Sequence, residues 1–392
     1  MDVRDLVDRG GNSDQVILSK IDAAAKLLKE NVKVVICCDY GVSRSNAIAA
    51  GVLAKHLKLD FDEAVQLVVT KTGEAAIGLD LLNSVRRALG PDMGPNRGRG
   101  KTILVTGRSG LIGAGLIETL TKSREVVTPD DQELGLLDQP ILLDRLVRRD
   151  NVETLVHLAR PAEYATPKSM GQSVVMLKNV LDVCRENRLR LLMVSDSAVF
   201  SGYRDSCLIA SESIPLRPRG TYGETKALCE SLVHYYRDAY GLDICLLRLS
   251  RVYGNGAPKF IQAFCERALK NEVIFTHKYV NGFPMVDLVH VSDVVNAIER
   301  IIENKPSQST DFNIGTGVGR STFQLAEMIR TLCHSTSSIK YHEINDFTSN
   351  VVMDISKAEK LLQWRPTINI SDGLKQIVDH IRERVQDGPT EK

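Results

Sequence analysis

The chain of 392 residues has no long hydrophobic run, no excess of either charge and no orderly cysteine spacing. Nothing in it approaches the roughly 18 uninterrupted apolar residues of a membrane-crossing helix. The opening MDVRDLVDRGG lacks the apolar core that a secretory signal needs. A cytoplasmic protein without a membrane partner is therefore expected. Lys and Arg total 50 against 49 Asp and Glu, a net charge of +1. With no basic field, nothing draws the chain to nucleic acid or an anionic surface. The eight cysteines (Cys37, Cys38, Cys184, Cys207, Cys229, Cys245, Cys265, Cys333) show neither zinc-site pairs nor a disulfide framework. No metal site is expected, and no internal repeat is visible.

What is present is a globular composition, 43% hydrophobic and 25% charged, in a chain long enough for two or more domains. The clearest break is GPDMGPNRGRG at 90–100, where Gly, Pro and charge interrupt the apolar periodicity. It predicts a small module over 1–90, a linker over 91–100 and a large domain over 101–392. In the module, Lys33–Asp39 reads as a buried strand, with helices following over 44–58, 61–71 and 78–90. In the large domain, short apolar runs at 102–106, 125–128, 153–158, 190–195 and 244–248 alternate with longer amphipathic stretches. That alternation predicts an α/β fold, a parallel sheet covered on both faces.

KTILVTGRSGLIGAGLIETL passes from a strand into a helix through Gly107, Gly110 and Gly113. Gly107 permits a tight turn, Gly110 lets backbone approach a pyrophosphate, and Gly113 lets helix and strand pack closely. Leu111 and Ile112 open the helix whose amino terminus would face the anion. Past the second strand, Asp130 and Asp131 stand near the spacing at which a carboxylate binds adenosine ribose hydroxyls, which favours NAD over NADP. Arg108, inside the loop, suits an extra phosphate, so NADP stays open. Leu158 and Ala159, at the end of the third run, are placed to line the same cofactor.

Tyr222 and Lys226 are four residues apart, hence on one helix face. A phenol is a poor acid or base at neutral pH until a neighbouring ammonium favours its ionised form. The order of blocks now matters: glycine loop, VHLA at 156–159, LLMVSDSAVF at 191–200, then the pair. LRLSRVYGNG (247–256), DLVHVSDVV (287–295), FNIGTG (312–317) and DISKAEKLLQWRP (354–366) follow. This series resembles the extended short-chain dehydrogenase/reductase family of sugar-nucleotide epimerases, dehydratases and reductases, over essentially all of 101–383. The resemblance implies a Rossmann-type doubly wound sheet with a smaller carboxy-terminal substrate lobe, a nicotinamide cofactor and a sugar-nucleotide substrate. It also implies that Tyr222 moves a proton, that Lys226 orients the nicotinamide ribose, and that a homodimer is possible.

Three departures bear on that expectation. Where the family carries a Ser or Thr beside the tyrosine, the alignment puts Asp196, flanked by Ser195 and Ser197. A one-residue bulge would bring in Ser197, the expected hydroxyl, with Ser195 packing or capping. Arginines that grip the diphosphate in the family are replaced by Val286 and Met353, leaving Arg251, Lys259 and Lys278 as candidate substitutes. The short connection between the second and third strands resembles 4-keto-sugar reductases, which keeps reduction beside epimerisation.

In the small module, VICCDYGVSRSNA at 35–47 sets Cys38 six residues before Arg44 and Ser45. Loop amides and a helix amino terminus would cradle a phosphate, Arg44 would hold its oxygens, and the positive field would favour the Cys38 thiolate. This resembles the signature loop of dual-specificity protein phosphatases, with likeness over 13–90. The resemblance implies a phosphorylated ligand, Ser45 assisting the leaving thiolate, and an aspartate general acid for which Asp8 is nearest and Asp5 next. Cys37 replaces the usual histidine, and the family's first strands are missing. A bifunctional enzyme and a catalytically weakened nucleotide- and phosphate-binding regulator are the two readings left.

Overall fold

The computed structural model describes residues 1–8, 11–74, 76–90, 102–129, 140–163, 165–256, 258–305 and 310–386. The chain divides into two compact units. One comprises Met1–Thr102, Gln132–Glu153 and Met176–Leu189; the other comprises Ile103–Asp131, Thr154–Val175 and Arg190–Lys392.

The first unit is helical among its described residues. Helices α1 (Asp14–Lys29), α2 (Arg44–Leu57), α3 (Phe61–Thr72) and α4 (Leu79–Ala88) form its amino-terminal part. Ile17, Ile21, Ala24 and Ala25 recur at helical spacing and make the buried face of α1. Gly51 lets α2 approach α1 and α4: a Cβ there would stand 2.6 Å from Ile21 and 2.9 Å from Val85. Asp60 caps α3 by accepting from the amides of Asp62 and Glu63. The strand expected over 33–39 does not form. Among the described residues its one ladder contact is a bridge between Asp2 and Cys37, and Val35 is 69% exposed. An apolar run becomes a strand only where neighbours satisfy its backbone, and here, among the described residues, that neighbour is the short segment Met1–Val3. The small α/β module is thus corrected to a helical one.

This unit also includes segments beyond the expected boundary. Helix α5 (Leu111–Leu120) belongs to the second unit, whereas α6 (Pro140–Arg149) and the end of α7 (Pro167–Asn187) group with the first. Asp62 takes ion pairs from Arg86 (2.6 Å) and Arg148 (2.9 Å), and Arg148 reaches Asp144 at 3.1 Å. Arg185 pairs with Asp80, and Asn83 donates to Glu186 at 2.7 Å. Burial would raise the Asp62 pKa, but Arg86 and Arg148 outweigh it and hold the carboxyl below its usual range. The proposed linker, 91–100, lies outside the described residues.

The second unit is built on a six-stranded sheet. Its strands are β1 (Thr102–Thr106), β2 (Val126–Val127), β3 (Val152–His157), β4 (Arg190–Asp196), β6 (Ile244–Leu249) and β10 (Thr310–Ile314). Their order is β10-β6-β4-β3-β1-β2, and β1–β2, β3–β4, β4–β6 and β6–β10 run parallel. β1, β6 and most of β3 are buried throughout, as expected of strands covered on both faces. Chain order reverses on either side of β1, so the crevice at the carboxyl ends of β1 and β3 is where this topology binds ligands.

A second layer surrounds β9 (Met285–His290). It is flanked by β5 (Leu208–Ala210), β7 (Arg251–Tyr253), β11 (Gly319–Ser321) and β13 (Val351–Met353). A further parallel pair joins β8 (Ile274–Tyr279) to β12 (Ile339–Ile344). Helices α8 (Gly220–Tyr240), α9 (Lys259–Leu269), α10 (Val291–Asn304), α11 (Thr322–Leu332), α12 (Ser356–Leu362) and α13 (Ile370–Gln386) complete the unit. Tyr253, Ile261, Phe264, Leu325, Leu374 and Ile377 share a core separate from the one beneath the main sheet, the expected smaller lobe. No helix among the described residues is long and apolar enough to cross a membrane.

Candidate active site

At the end of β1, Gly107 has φ +78°, and a Cβ there would lie 2.7 Å from the backbone of Leu158 and Ala159. Gly113 is equally constrained, since its Cβ would come within 2.2 Å of Gly107 O. Gly110 differs: a Cβ would meet only Gly107 O, at 3.4 Å. The protein itself does not require that glycine. Its bare backbone opens outward at the amino terminus of α5, the space a pyrophosphate needs, with half-buried Leu111 and Ile112 behind it.

Two residues that sequence reasoning passed over fix this crevice. Thr106 Oγ1 accepts from the amides of Leu158 and Ala159 (both 3.2 Å) and lies 3.0 Å from His157 Nδ1. With its lone pairs taken by amides, the hydroxyl donates its proton to Nδ1, so His157 carries its own on Nε2. Burial, together with Lys226, pushes His157 down to about 4. The tie holds the carboxyl end of β1 to Leu158 and Ala159. Arg108 is exposed, and Asp130 and Asp131 lie outside the described residues.

Tyr222 and Lys226 stand in the first two turns of α8. Gly223 brings that end of the helix onto the turn at 197–200, since a Cβ would lie 2.7 Å from Ala198 O. Lys226 Nζ donates to Val194 O (3.2 Å) and sits 5.8 Å from the Tyr222 ring centre. The Tyr222 hydroxyl donates to Asp196 Oδ2 at 3.2 Å, while Asp196 Oδ1 accepts from the Ala198 amide at 2.8 Å. The residue at the phenol is therefore Asp196, not the expected Ser197. β4 pairs with β6 residue by residue up to Asp196 opposite Leu249, which leaves no bulge to bring Ser197 forward. Ser195 packs: it donates to buried Glu230 at 2.5 Å.

Beneath α8 lies a buried network that the sequence did not reveal. Arg248 of β6 holds Glu230 through Nε (3.0 Å) and Nη2 (2.8 Å) and reaches Asp311 of β10 at 3.3 Å. Asp311 also takes Arg237 at 2.5 Å, and its carboxyl is held well below the usual range: His234, Arg237 and Arg248 overcome the effect of burial. These pairs join α8 to β6 and β10.

Of the cations expected at a substrate, Arg251 on β7 and Lys259 at the start of α9 are exposed. Lys278 lies over the Tyr341 ring at 5.4 Å. Arg320 of β11 was not expected. It is half-buried and directly opposite Val286 in the antiparallel ladder, so the two side chains share a face. No carboxylate among the described residues pairs with it.

In the first unit, Cys38 Sγ lies 3.4 Å from Ser45 Oγ and accepts from the Gly41 amide at 3.2 Å. Burial would raise the thiol, but Ser45 and the loop amides outweigh it and bring it down to about 7. Arg44 is spent inside the protein. Nη1 donates to the carbonyls of Arg4 (3.1 Å) and Leu6 (3.2 Å), Nη2 to Asp39 (2.5 Å), and Nε faces Asp8 at 3.5 Å. Asp8, expected as a general acid, is instead an ion partner of Arg44; Asp5 pairs with Lys20 at 2.9 Å. Among the described residues no group of three His, Cys, Asp or Glu side chains is placed to hold a metal.

Comparison with known proteins agrees with the second unit's geometry. The pattern described as "NAD dependent epimerase/dehydratase family" matches residues 103–315. The chain is similar to UDP-glucuronic acid decarboxylase 6 of Arabidopsis thaliana, 27% identical over 72% of this chain and 89% of that protein. A putative UDP-glucose 4-epimerase of Methanocaldococcus jannaschii is 26% identical over 71% of this chain and 98% of that one. Among solved structures, UDP-glucuronic acid 4-epimerase from Bacillus cereus, in complex with UDP-glucuronic acid and NAD, superposes with TM-score 0.62. It is 23% identical, over 72% of this chain and 99% of that one. A dTDP-glucose 4,6-dehydratase from Bacillus anthracis, in complex with NAD, gives TM-score 0.64 at 20% identity over 73% and 98%. Glycine loop, Tyr222 and Lys226, sheet order and these likenesses converge: the chain belongs to the NAD dependent epimerase/dehydratase family.

Proposed function

We propose that the second unit is an NAD-dependent enzyme acting on a sugar carbon of a nucleoside diphosphate sugar, most simply a UDP-hexose or UDP-hexuronate. The observation that carries the reading is Tyr222 and Lys226 on the first turns of α8, joined to the end of the sheet that bears the glycine loop. Bound NAD supplies an acceptor that takes a hydride from the sugar carbon and can return it. The backbone at Gly107, Gly110 and Gly113, with Leu111 and Ile112, holds the pyrophosphate; Leu158 and Ala159 line the cofactor. Lys226 orients its ribose, and Tyr222 moves the proton at the sugar oxygen. We assign the diphosphate to Arg320, which lies across the ladder from the family's missing arginine, with Arg251 and Lys259 as outer cations.

The test is to incubate purified protein with NAD and UDP-glucose, UDP-glucuronic acid or dTDP-glucose, and to identify products by chromatography and mass spectrometry. Turnover that disappears in Tyr222→Phe is expected. NAD binding without conversion of any of them would overturn the substrate class, and no NAD binding would overturn the whole reading.

For the first unit we infer a reactive thiolate loop that does not transfer phosphoryl groups. Arg44 is already neutralised by Asp39 and Asp8, and among the described residues of this unit no strand pairs beside the loop except the bridge between Asp2 and Cys37. Aryl phosphate hydrolysis should be equal in the unmodified protein and Cys38→Ser. Activity lost in Cys38→Ser would restore the phosphatase.

A further inference from the structure

A carboxylate beside the reactive phenol is the least ordinary feature of the second unit. Asp196 Oδ2 accepts from the Tyr222 hydroxyl at 3.2 Å, and the carboxylate is kept in place by the Ala198 amide on its other oxygen, at 2.8 Å. Gly223 fixes the distance by bringing the start of α8 onto the 197–200 turn. Among the described residues, three other sets of titratable groups lie on the elements that carry the pair or pack beside them. Lys226 lies on the same helix with its ammonium on Val194 O. His157, neutral, lies at the end of β3. Further along α8, Glu230 is satisfied by Arg248 and Ser195. Of these, only Asp196 accepts a proton bond from the phenol.

We propose that Asp196 is the terminal proton acceptor of the reaction and that Tyr222 works as a neutral relay. The proposal rests on the reading of the second unit as an NAD-dependent enzyme. In the oxidative direction, the sugar O–H bond breaks and its proton passes to Tyr222 Oη. The proton already on Tyr222 passes to Asp196 Oδ2. The electron pair of the carbinol C–H bond leaves as hydride to the cofactor, and the carbonyl forms. In the reductive direction Asp196 returns its proton through Tyr222. The hydroxyl proton becomes acidic as the hydride departs, so a carboxylate within hydrogen-bond reach of the phenol can serve as its end point. A phenol that donates to a carboxylate is held in its protonated form, whereas an ammonium alone favours the phenolate. The relay removes the need for a phenolate at neutral pH.

The first measurement needs neither cofactor nor substrate. Ultraviolet absorbance of phenolate is titrated with pH in the unmodified protein, in Tyr222→Phe to isolate the Tyr222 contribution, and in D196N and D196S. Both Asp196 variants should show Tyr222 ionising at lower pH, by roughly one unit or more. An unchanged midpoint in both overturns the coupling. The second measurement is the pH dependence of turnover with whichever of UDP-glucose, UDP-glucuronic acid or dTDP-glucose is converted. D196N should lose roughly 10²-fold near neutral pH and recover toward alkaline pH, where Tyr222 ionises unaided. D196S should keep turnover with its acid limb moved to higher pH. A D196N profile superimposable on that of the unmodified protein overturns the relay. Full turnover in Tyr222→Phe overturns the underlying assignment of the site, which is a separate failure.

Discussion

Replacing Arg248 with Met tests what holds the catalytic helix to the sheet. The Arg248 and Glu230 side chains are 3% and 0% exposed, and Glu230 accepts from the guanidinium at 3.2, 3.0 and 2.8 Å. In Arg248→Met the Glu230 carboxylate keeps only the Ser195 hydroxyl, and Asp311 keeps Arg237 and His234. Breaking one side of such a pair costs about 3–5 kcal/mol, chiefly because the orphaned charge stays buried. Replacing both partners with apolar residues of similar volume removes that charge, so Glu230→Leu with Arg248→Met should be less damaging than Arg248→Met alone. The orphaned carboxyl would bind its proton more tightly folded than unfolded. The deficit of Arg248→Met should therefore shrink as pH falls toward about 4. Urea unfolding followed by the fluorescence of Trp364, which is fully buried in the second unit, reads these differences. A loss below about 1 kcal/mol in the single variant, or a double variant as unstable as the sum of both singles, would refute the argument.

Gly113→Ala forces a Cβ to within 2.2 Å of Gly107 O and should destabilise the second unit by about 1–3 kcal/mol. Gly110→Ala, whose Cβ meets nothing closer than 3.4 Å, should leave stability within about 0.5 kcal/mol while NAD affinity, measured calorimetrically, falls at least tenfold; equal effects on folding would remove the case for a pyrophosphate at Gly110. His157, pushed down to about 4, binds its proton in the unfolded chain first. Its share of stability is full above about pH 6.5 and falls away toward pH 4, in all roughly 3 kcal/mol, a slope that His157→Gln should flatten. Arg320→Met should raise KM for the converted sugar nucleotide at least tenfold with little change in kcat; a KM that does not move would exclude the diphosphate role.

Five strands of the main sheet were legible because each is a short apolar run, the pattern that burial on both faces demands; the sixth, β10, with sequence TDFNI, carries polar residues and was not read as a strand. The runs at 102–106 and 244–248 appear as Thr102–Thr106 and Ile244–Leu249. The run at 33–39 has the same composition and no strand, because pairing partners are a property of the whole fold and not of the segment. Helix α1 was missed although Ile17, Ile21, Ala24 and Ala25 carry its spacing. Asp196 was visible as a departure, but its place at the phenol depended on the register of β4 against β6. Arg320 was invisible for a related reason: it is 34 positions from Val286 in sequence and becomes its neighbour only through an antiparallel ladder.

In the Cys38 loop the surroundings favour a thiolate while the neighbouring cation is already paired. Cys38, Ser45 and the Gly41 amide sit as thiolate chemistry requires, and the thiol comes down to about 7. Arg44 is the group such a loop would use on an anion, and two carboxylates and two carbonyls already occupy it. A phosphate would have to displace Asp39, its neighbour in the loop, against like charge. That reasoning predicts a gain of function: Asp39→Asn should free Nη2 and remove the repulsion. Inorganic phosphate should then protect Cys38 from iodoacetamide severalfold better than in the unmodified protein, by an amount that declines as salt screens the anion. If phosphate protects both proteins equally, Asp39 is not what closes the loop to anions.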